Sequence, residues 1–324
     1  MKSSPPNIQA IINTELTALN AYINKQLQSK DKPFLNQLTG YVFQHTGKQL
    51  RAQLVFLMAG AYGNITAQTR RGAALVSLVH HASLIHDDIV DDACYRRGIR
   101  SANAIWGNKE ALLVGDYLLS SGIVMAMEHQ DYELLKMVAN TVQAMSVGEL
   151  LQLTKAKQLA MSEAVYLEII YQKTAKLMAA CCAIGALTAK ASAEAVNNMY
   201  QIGEQLGMAF QLQNDWQDYG RSDQTDKVSG MDIQGKKITL PLLYALQKAD
   251  TNTCQAIMQM IKHHSHDRTV CQEIIEFVHA QGGITYAQAK MYAYQKQALH
   301  LVTIYLPSSS YQESLLQLIQ EVIP

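Results

Sequence analysis

Ser83–Asp92 reads SLIHDDIVDD, and within the longer run His80–Gly98, HHASLIHDDIVDDACYRRG, it places four aspartates in six residues behind apolar neighbours. On a helix, residues four apart share a face, so Asp87 pairs with Asp91 and Asp88 with Asp92, while His80 lies seven before Asp87 on the same stripe. Like charges at that spacing destabilise a helix. Leu84, Ile85, Ile89 and Val90 meanwhile mark a helix that is buried rather than solvated. Hard divalent cations relieve such repulsion, because Mg²⁺ takes carboxylate and phosphate oxygens.

A second stretch repeats the theme. Phe210–Gly220, FQLQNDWQDYG, sets Asn214 four before Asp218 and Asp215 three before it. Two acidic helices facing one cavity would hold a polyphosphate through several cations. Candidate phosphate-binding cations accompany them: Lys48 and Arg51 in TGKQLRAQL, Arg96 and Arg97 after the first cluster, Lys173 beside Thr174 in YQKTAKL, and Lys227 and Lys237 in a glycine-punctuated loop. Arginine presents forked donors to phosphate and lysine a point charge.

Composition agrees with a helical protein built around local charge. The chain has 324 residues, 48% of them hydrophobic, so a large core is accessible. Only 6 prolines and 18 glycines interrupt it, and alternating strand-type runs are missing, so the fold is expected to be all-α. Lys plus Arg and Asp plus Glu are both 27, which removes the bulk field that nucleic acid binding needs. No run of about 18 uncharged apolar residues suggests a transmembrane span. Five cysteines without CxxC spacing, and no secretory signal, point to reduced thiols and a cytoplasmic protein.

The apolar periodicity predicts helices over Ile8–Leu27, Ala73–Asp92, Ala111–Met127, Tyr132–Leu153, Ser162–Lys190, Ala193–Tyr219 and from Thr239 to Lys248. Gly63–Gly72 and Gly220–Lys237 read as loops, and residues 1–7 as a frayed leader. No repeat or linker divides the chain, so residues 1–324 are expected to be one domain.

Six elements in order, GKQLR, HHASLIHDDIVDDACYRRG, GDYLL, KTAKL, FQLQNDWQD and the KVSGMD…KITLP run, resemble the trans-polyprenyl (isoprenyl) diphosphate synthases, over roughly Gly47–Pro241. That resemblance implies a single-domain isoprenoid synthase fold, roughly a dozen antiparallel helices around a central cavity, in a homodimer. It implies condensation of an allylic diphosphate with isopentenyl diphosphate through an allylic carbocation, assisted by three Mg²⁺ ions, with the product delivered to a membrane. Asp87, Asp91, Asn214, Asp215 and Asp218 would be the metal ligands, with Asp88 supporting them. Arg96, Lys173, Thr174, Gln211, Lys227 and Lys237 would surround the allylic diphosphate. Lys48, Arg51, His80 and Arg97 would hold isopentenyl diphosphate, with Phe210 packed beside it.

In short-chain relatives an aromatic residue four or five before the first motif closes the product tunnel. Here those positions are Ser83 and Ala82, with Val79 a turn lower, so the expected product is long, roughly C30 to C40, as for quinone side chains. Asn214 stands where the family has aspartate. It brings an oxygen without charge and keeps two alternatives in view, a weakly active or regulatory subunit with a heteromeric partner and a transferase for an atypical acceptor. A third, a short-chain (C15–C20) synthase, holds if another helix floors the tunnel.

Overall fold

The computed structural model describes residues 8–44, 47–96, 98–158, 161–220 and 230–323. They form helices α1 (Ile8–Leu27), α2 (Pro33–Gln44), α3 (Leu50–Tyr62), α4 (Ala67–Val90), α5 (Ala102–Trp106), α6 (Asn108–Glu128), α7 (Tyr132–Gln158), α8 (Glu163–Ile170), α9 (Lys176–Thr188) and α10 (Ala193–Asp218). The remainder are α11 (Met231–Gln234), α12 (Leu240–Lys248), α13 (Thr251–His264), α14 (Arg268–Ala280), α15 (Gly283–Tyr305) and α16 (Ser310–Val322). A π-helical turn, Tyr171–Ala175, joins α8 to α9. The protein is all-α. The strands among the described residues, β1 (Tyr95–Arg96) and β2 (Ile99–Arg100), make a two-residue antiparallel ribbon with Tyr95 opposite Arg100 and Arg96 opposite Ile99.

Two expected loops are partly helical. One is Gly220–Lys237, within which α11 (Met231–Gln234) lies. Within Gly63–Gly72, α4 already begins at Ala67. Thr66 and Thr69 form a reciprocal capping box, each side chain accepting from the other's backbone N–H at 3.2 and 3.0 Å. Arg70 and Arg71 both form ion pairs. Arg70 forks onto Glu15 at 2.6 and 2.8 Å, and Arg71 onto the buried Asp131 at 2.5 and 3.0 Å. The other end of α4 is also corrected. The helix stops at Val90; Asp91 still donates its N–H to Asp87 O at 2.8 Å, but Asp92 turns into the left-handed region at φ 49. Asp87 and Asp91 therefore keep helical spacing, whereas Asp88 and Asp92 do not.

The described residues gather into two compact units, each assembled from separate stretches: Met1–Val142 with Leu177–Gln201 and Val302–Gln317, and Gln143–Lys176 with Ile202–Leu301 and Leu318–Pro324. In the first unit α3 and α4 are buried along Ala52–Ala59 and Ala73–Val79, and α9 is buried nearly all round. Small residues set the helix spacing. A Cβ on Gly185 would stand 2.5 Å from Val55 O, one on Gly122 of α6 2.9 Å from Leu75, and one on Gly115 2.2 Å from the His86 ring. In the second unit Tyr219, Ile233, Leu242, Ile257, Ile261, Ile274, Ile275 and Val278 form a core beneath α11 to α14.

Among the described residues one helix, α6, is long and apolar enough to cross a membrane by length and composition. It packs on α4 through Gly115 and Gly122 and carries Glu110 and Asp116. The five cysteines are all unpaired.

Candidate active site

The first acidic motif sits at the C-terminal end of α4, held there by residues that follow it. Ser101 Oγ donates to Ala93 O at 2.6 Å, and Asn103 Nδ2 to Ala93 O at 3.2 Å and Asp88 O at 3.4 Å. Asp87 is half-buried and Asp91 exposed, whereas Asp88 is buried. Burying a lone carboxylate is costly. Asp88 is instead clamped by Arg96, with Nε at 2.8 and 2.9 Å from its two oxygens and Nη2 at 2.6 Å. Asp88 and Arg96 thus form one unit in this structure.

That pair borders a cavity of about 310 Å³ between α2, the end of α4 and the β1–β2 ribbon, where Tyr41, His80, His81 and Arg100 also contribute to the wall. Arg51 of α3 reaches His80 of α4 at 3.0 Å. A guanidinium can only donate, so His80 Nε2 accepts and its proton is on Nδ1. Lys48 is exposed in the turn preceding α3, whose backbone enters the left-handed region at Gly47 (φ 62) and Gln49 (φ 48). Arg97 and Lys227 lie outside the described residues.

Val79 and Ala82 are buried, and on the helical wheel they share the stripe Leu75–Val79–Ala82–His86. The two ends of that stripe press on Gly122 and Gly115 of α6. Ala82 is buried on the α4 stripe whose ends meet α6. Ser83 turns its hydroxyl back to His80 O at 2.9 Å.

The second motif, in the other unit, is more tightly ordered. Asp215 is 4% exposed. Tyr166 of α8 donates to Asp215 Oδ2 at 2.5 Å, and Gln211 Nε2 to Oδ1 at 2.6 Å. Gln211 Oε1 in turn accepts from Thr174 Oγ1 at 2.9 Å. Burial pushes the Asp215 carboxyl up to about 6, against the hydrogen bonds from Tyr166 and Gln211 and the nearby Lys237, which favour its charge; Asp218 adds to the rise. Burial and the Asp215 charge hold the Tyr166 hydroxyl well above the usual phenol range.

Thr174 and Lys173 lie in the π-helical turn, which is gripped from two sides. A Cβ on Gly207 of α10 would fall 2.5 Å from Ala175 Cα, and one on Gly148 of α7 3.1 Å from Lys173 N. Only glycine allows that approach. Lys173 is ion-paired with Glu149, the residue after Gly148. Asp218, the last residue of α10, accepts from the N–H groups of Met231 at 3.0 Å and Asp232 at 2.8 Å, which ties the end of α10 to the start of α11. Asn214 and Phe210 are half-buried on α10.

Tyr166, Glu149, Ser101 and Asn103 touch the candidate residues or the backbone beside them, and sequence reasoning missed all four. Tyr166 lies seven before Lys173, two helical turns away, and that stripe was the one signal available for it. Glu149 needed the knowledge that α7 meets the π-helical turn at a glycine.

Among the described residues no three His, Cys, Asp or Glu side chains come together as a metal cage. Mg²⁺ typically binds through one or two carboxylates and completes its shell with waters and substrate phosphates. A buried carboxylate lifted to about 6 is also one that a hard cation would stabilise in its charged form. The donor sets fit a cation that arrives with a diphosphate.

Comparison with known proteins gives a consistent result. Residues 32–278 match the family model Polyprenyl synthetase. The octaprenyl diphosphate synthase of Escherichia coli (strain K12) is 30% identical over 312 residues, 96% of each chain. The crystal structure of a decaprenyl diphosphate synthase from Rhodobacter capsulatus superposes with a TM-score of 0.90 at 29% identity, covering 97% of both chains. That of a polyprenyl synthase from Caulobacter crescentus, complexed with calcium and isoprenyl diphosphate, gives 0.89 at 28%, covering 97% of this chain and 95% of the other. The chain belongs to the polyprenyl synthetase family.

Proposed function

We propose that the chain transfers an allylic prenyl group onto isopentenyl diphosphate, head to tail, to build a long all-trans polyprenyl diphosphate of the kind used for quinone side chains. The observation that carries this for the site is the ordered chain Thr174–Gln211–Asp215, with Lys173 beside it on the π-helical turn. These groups would surround the diphosphate of the allylic substrate, and Arg51, His80 and Lys48 that of isopentenyl diphosphate.

The allylic C–O bond breaks and its electron pair leaves with the diphosphate. The isopentenyl double bond attacks the carbocation, a C–C bond forms, and the proton lost from the adduct goes to the released diphosphate. Asp87 and Asp91 in one unit, and Asp215 and Asp218 with Asn214 in the other, would hold Mg²⁺, which would supply positive charge to the leaving group. Lys173 adds a cation at the same place once it turns from Glu149. Burial around Asp215 keeps water from the cation.

We place the enzyme in the cytoplasm, delivering its product to the membrane, and as a homodimer. Support for self-association is the outer stripe of α6, where Leu113, Ile123, Val124 and Met127 are exposed in the protomer. Incubating the purified chain with Mg²⁺, farnesyl diphosphate and isopentenyl diphosphate, and sizing the product, tests the whole reading. A C15 or C20 stop would refute the long-chain assignment. Inactivity of the chain alone, restored by a second subunit, would favour the alternative raised by Asn214. Asp87→Ala is expected to lower turnover by several orders of magnitude; near-normal turnover would contradict the metal assignment.

A further inference from the structure

We propose that Tyr166 is a positioning residue of the transfer reaction: its hydroxyl fixes the Asp215 carboxylate, and through it Gln211 and Thr174, in the orientation that receives a metal-bound diphosphate. This rests on the assignment of Asp215 to the metal–diphosphate site.

The argument is one of donors and acceptors. Tyr166 is 3% exposed and its hydroxyl lies 2.5 Å from Asp215 Oδ2. A position that needed only packing would be served by phenylalanine, without the cost of burying a hydroxyl. A carboxylate only accepts, so the phenol proton must point to Asp215. Gln211 supplies the proton on the other oxygen, at 2.6 Å. That bond fixes which way the Gln211 amide is turned: its NH₂ faces Asp215 and its oxygen faces Thr174 Oγ1 at 2.9 Å. Tyr166 and Gln211 each occupy one lone pair on one carboxylate oxygen, and each oxygen keeps its second. Removing the Tyr166 proton leaves Asp215 free to rotate and to release Gln211. Partners that orient a metal-binding carboxylate in this way commonly account for about 10–100-fold in metal affinity or activity.

Tyr166→Phe preserves the ring and removes the proton. The wild type, Tyr166→Phe, Asp215→Asn and the double variant are titrated with Mg²⁺ at fixed inorganic diphosphate, with the melting temperature as the binding readout, and then assayed. In Tyr166→Phe the Mg²⁺ concentration for half-maximal stabilisation is expected to rise about tenfold and kcat to fall about tenfold or more, while KM for isopentenyl diphosphate changes less than about twofold. The Phe change is expected to weaken binding no further in the Asp215→Asn background. If Tyr166→Phe titrates and turns over like the wild type while Asp215→Asn loses binding, the positioning role is wrong and the metal assignment stands. If Asp215→Asn itself titrates like the wild type, the metal assignment falls, and this proposal with it.

Discussion

Replacing Gly207 by alanine sets two effects of opposite sign against each other. Gly207 is in the interior of α10, where alanine is favoured over glycine by about 1 kcal/mol on intrinsic propensity. Its new Cβ, however, would lie 2.5 Å from Ala175 Cα, 3.1 Å from Ala175 Cβ and 3.2 Å from Ala175 O. An ordinary carbon–carbon contact is about 3.5–4.0 Å, so the π-helical turn must move by roughly 1 Å. The obstruction is backbone, which cannot be relieved by a rotamer change, and overpacking of this sort costs about 1–3 kcal/mol. The net expectation is destabilisation of about 0–2 kcal/mol, with a melting temperature lower by up to about 3 °C for a chain of 324 residues. Gln211 lies one helical turn beyond Gly207, so the same displacement stretches its 2.9 Å bond to Thr174, and kcat is expected to fall by about tenfold or more. Gly40 of α2 provides the internal control. A Cβ there meets nothing within 4 Å, so Gly40→Ala should stabilise by about 1 kcal/mol with activity intact. Calorimetry and steady-state rates on both variants decide the matter. A Gly207→Ala enzyme that melts higher than the parent and retains its activity would refute the close-packing argument.

Asp215→Asn should raise stability in Mg²⁺-free buffer while abolishing transfer. A carboxyl displaced from 3.8 to about 6 is worth about 3 kcal/mol of destabilisation when ionised. The sign follows from the raised value: that cost is absent below about pH 4, grows as pH rises through 6, and is complete at neutral pH. Denaturant midpoints of the two proteins should therefore converge near pH 4 and separate by pH 8; parallel curves would contradict the burial argument. Leu113→Glu combined with Val124→Glu places charge on side chains that are 66% and 54% exposed in the protomer. Sedimentation should show the parent as a dimer and this variant as a monomer with unchanged helical content, and a parent that sediments as a monomer would remove the case for self-association.

The helical class and most element positions were legible because apolar periodicity runs unbroken through α1, α6, α7 and α10. The start of α4 was misread because Thr66 and Thr69 build a capping box from residues that look like loop polar groups, and because Arg70 and Arg71 find partners far away in sequence. The same limit applies at the site. Spacing offered Asp215, Lys173 and Thr174 as candidates, to which the family resemblance added Gln211. It could not pair Asp88 with Arg96 or Lys173 with Glu149, since which oppositely charged groups meet depends on how helices pack. Nor could it separate a small residue that leaves room for product from one that admits a neighbouring helix. Ala82, on the α4 stripe between Leu75 and His86, fits both descriptions.

The π-helical turn at Tyr171–Ala175 has a bearing on how this chain can change over evolutionary time. A widened turn of this kind amounts to one surplus residue in an otherwise regular spiral, and it advances everything beyond it by roughly 100°. Excising that residue would give a smoother and intrinsically more favourable spiral, yet it would rotate Lys173 and Thr174 away from Gln211. Length changes are thus tolerable in the exposed connections and forbidden here, so this irregularity should persist in any descendant that still makes prenyl chains.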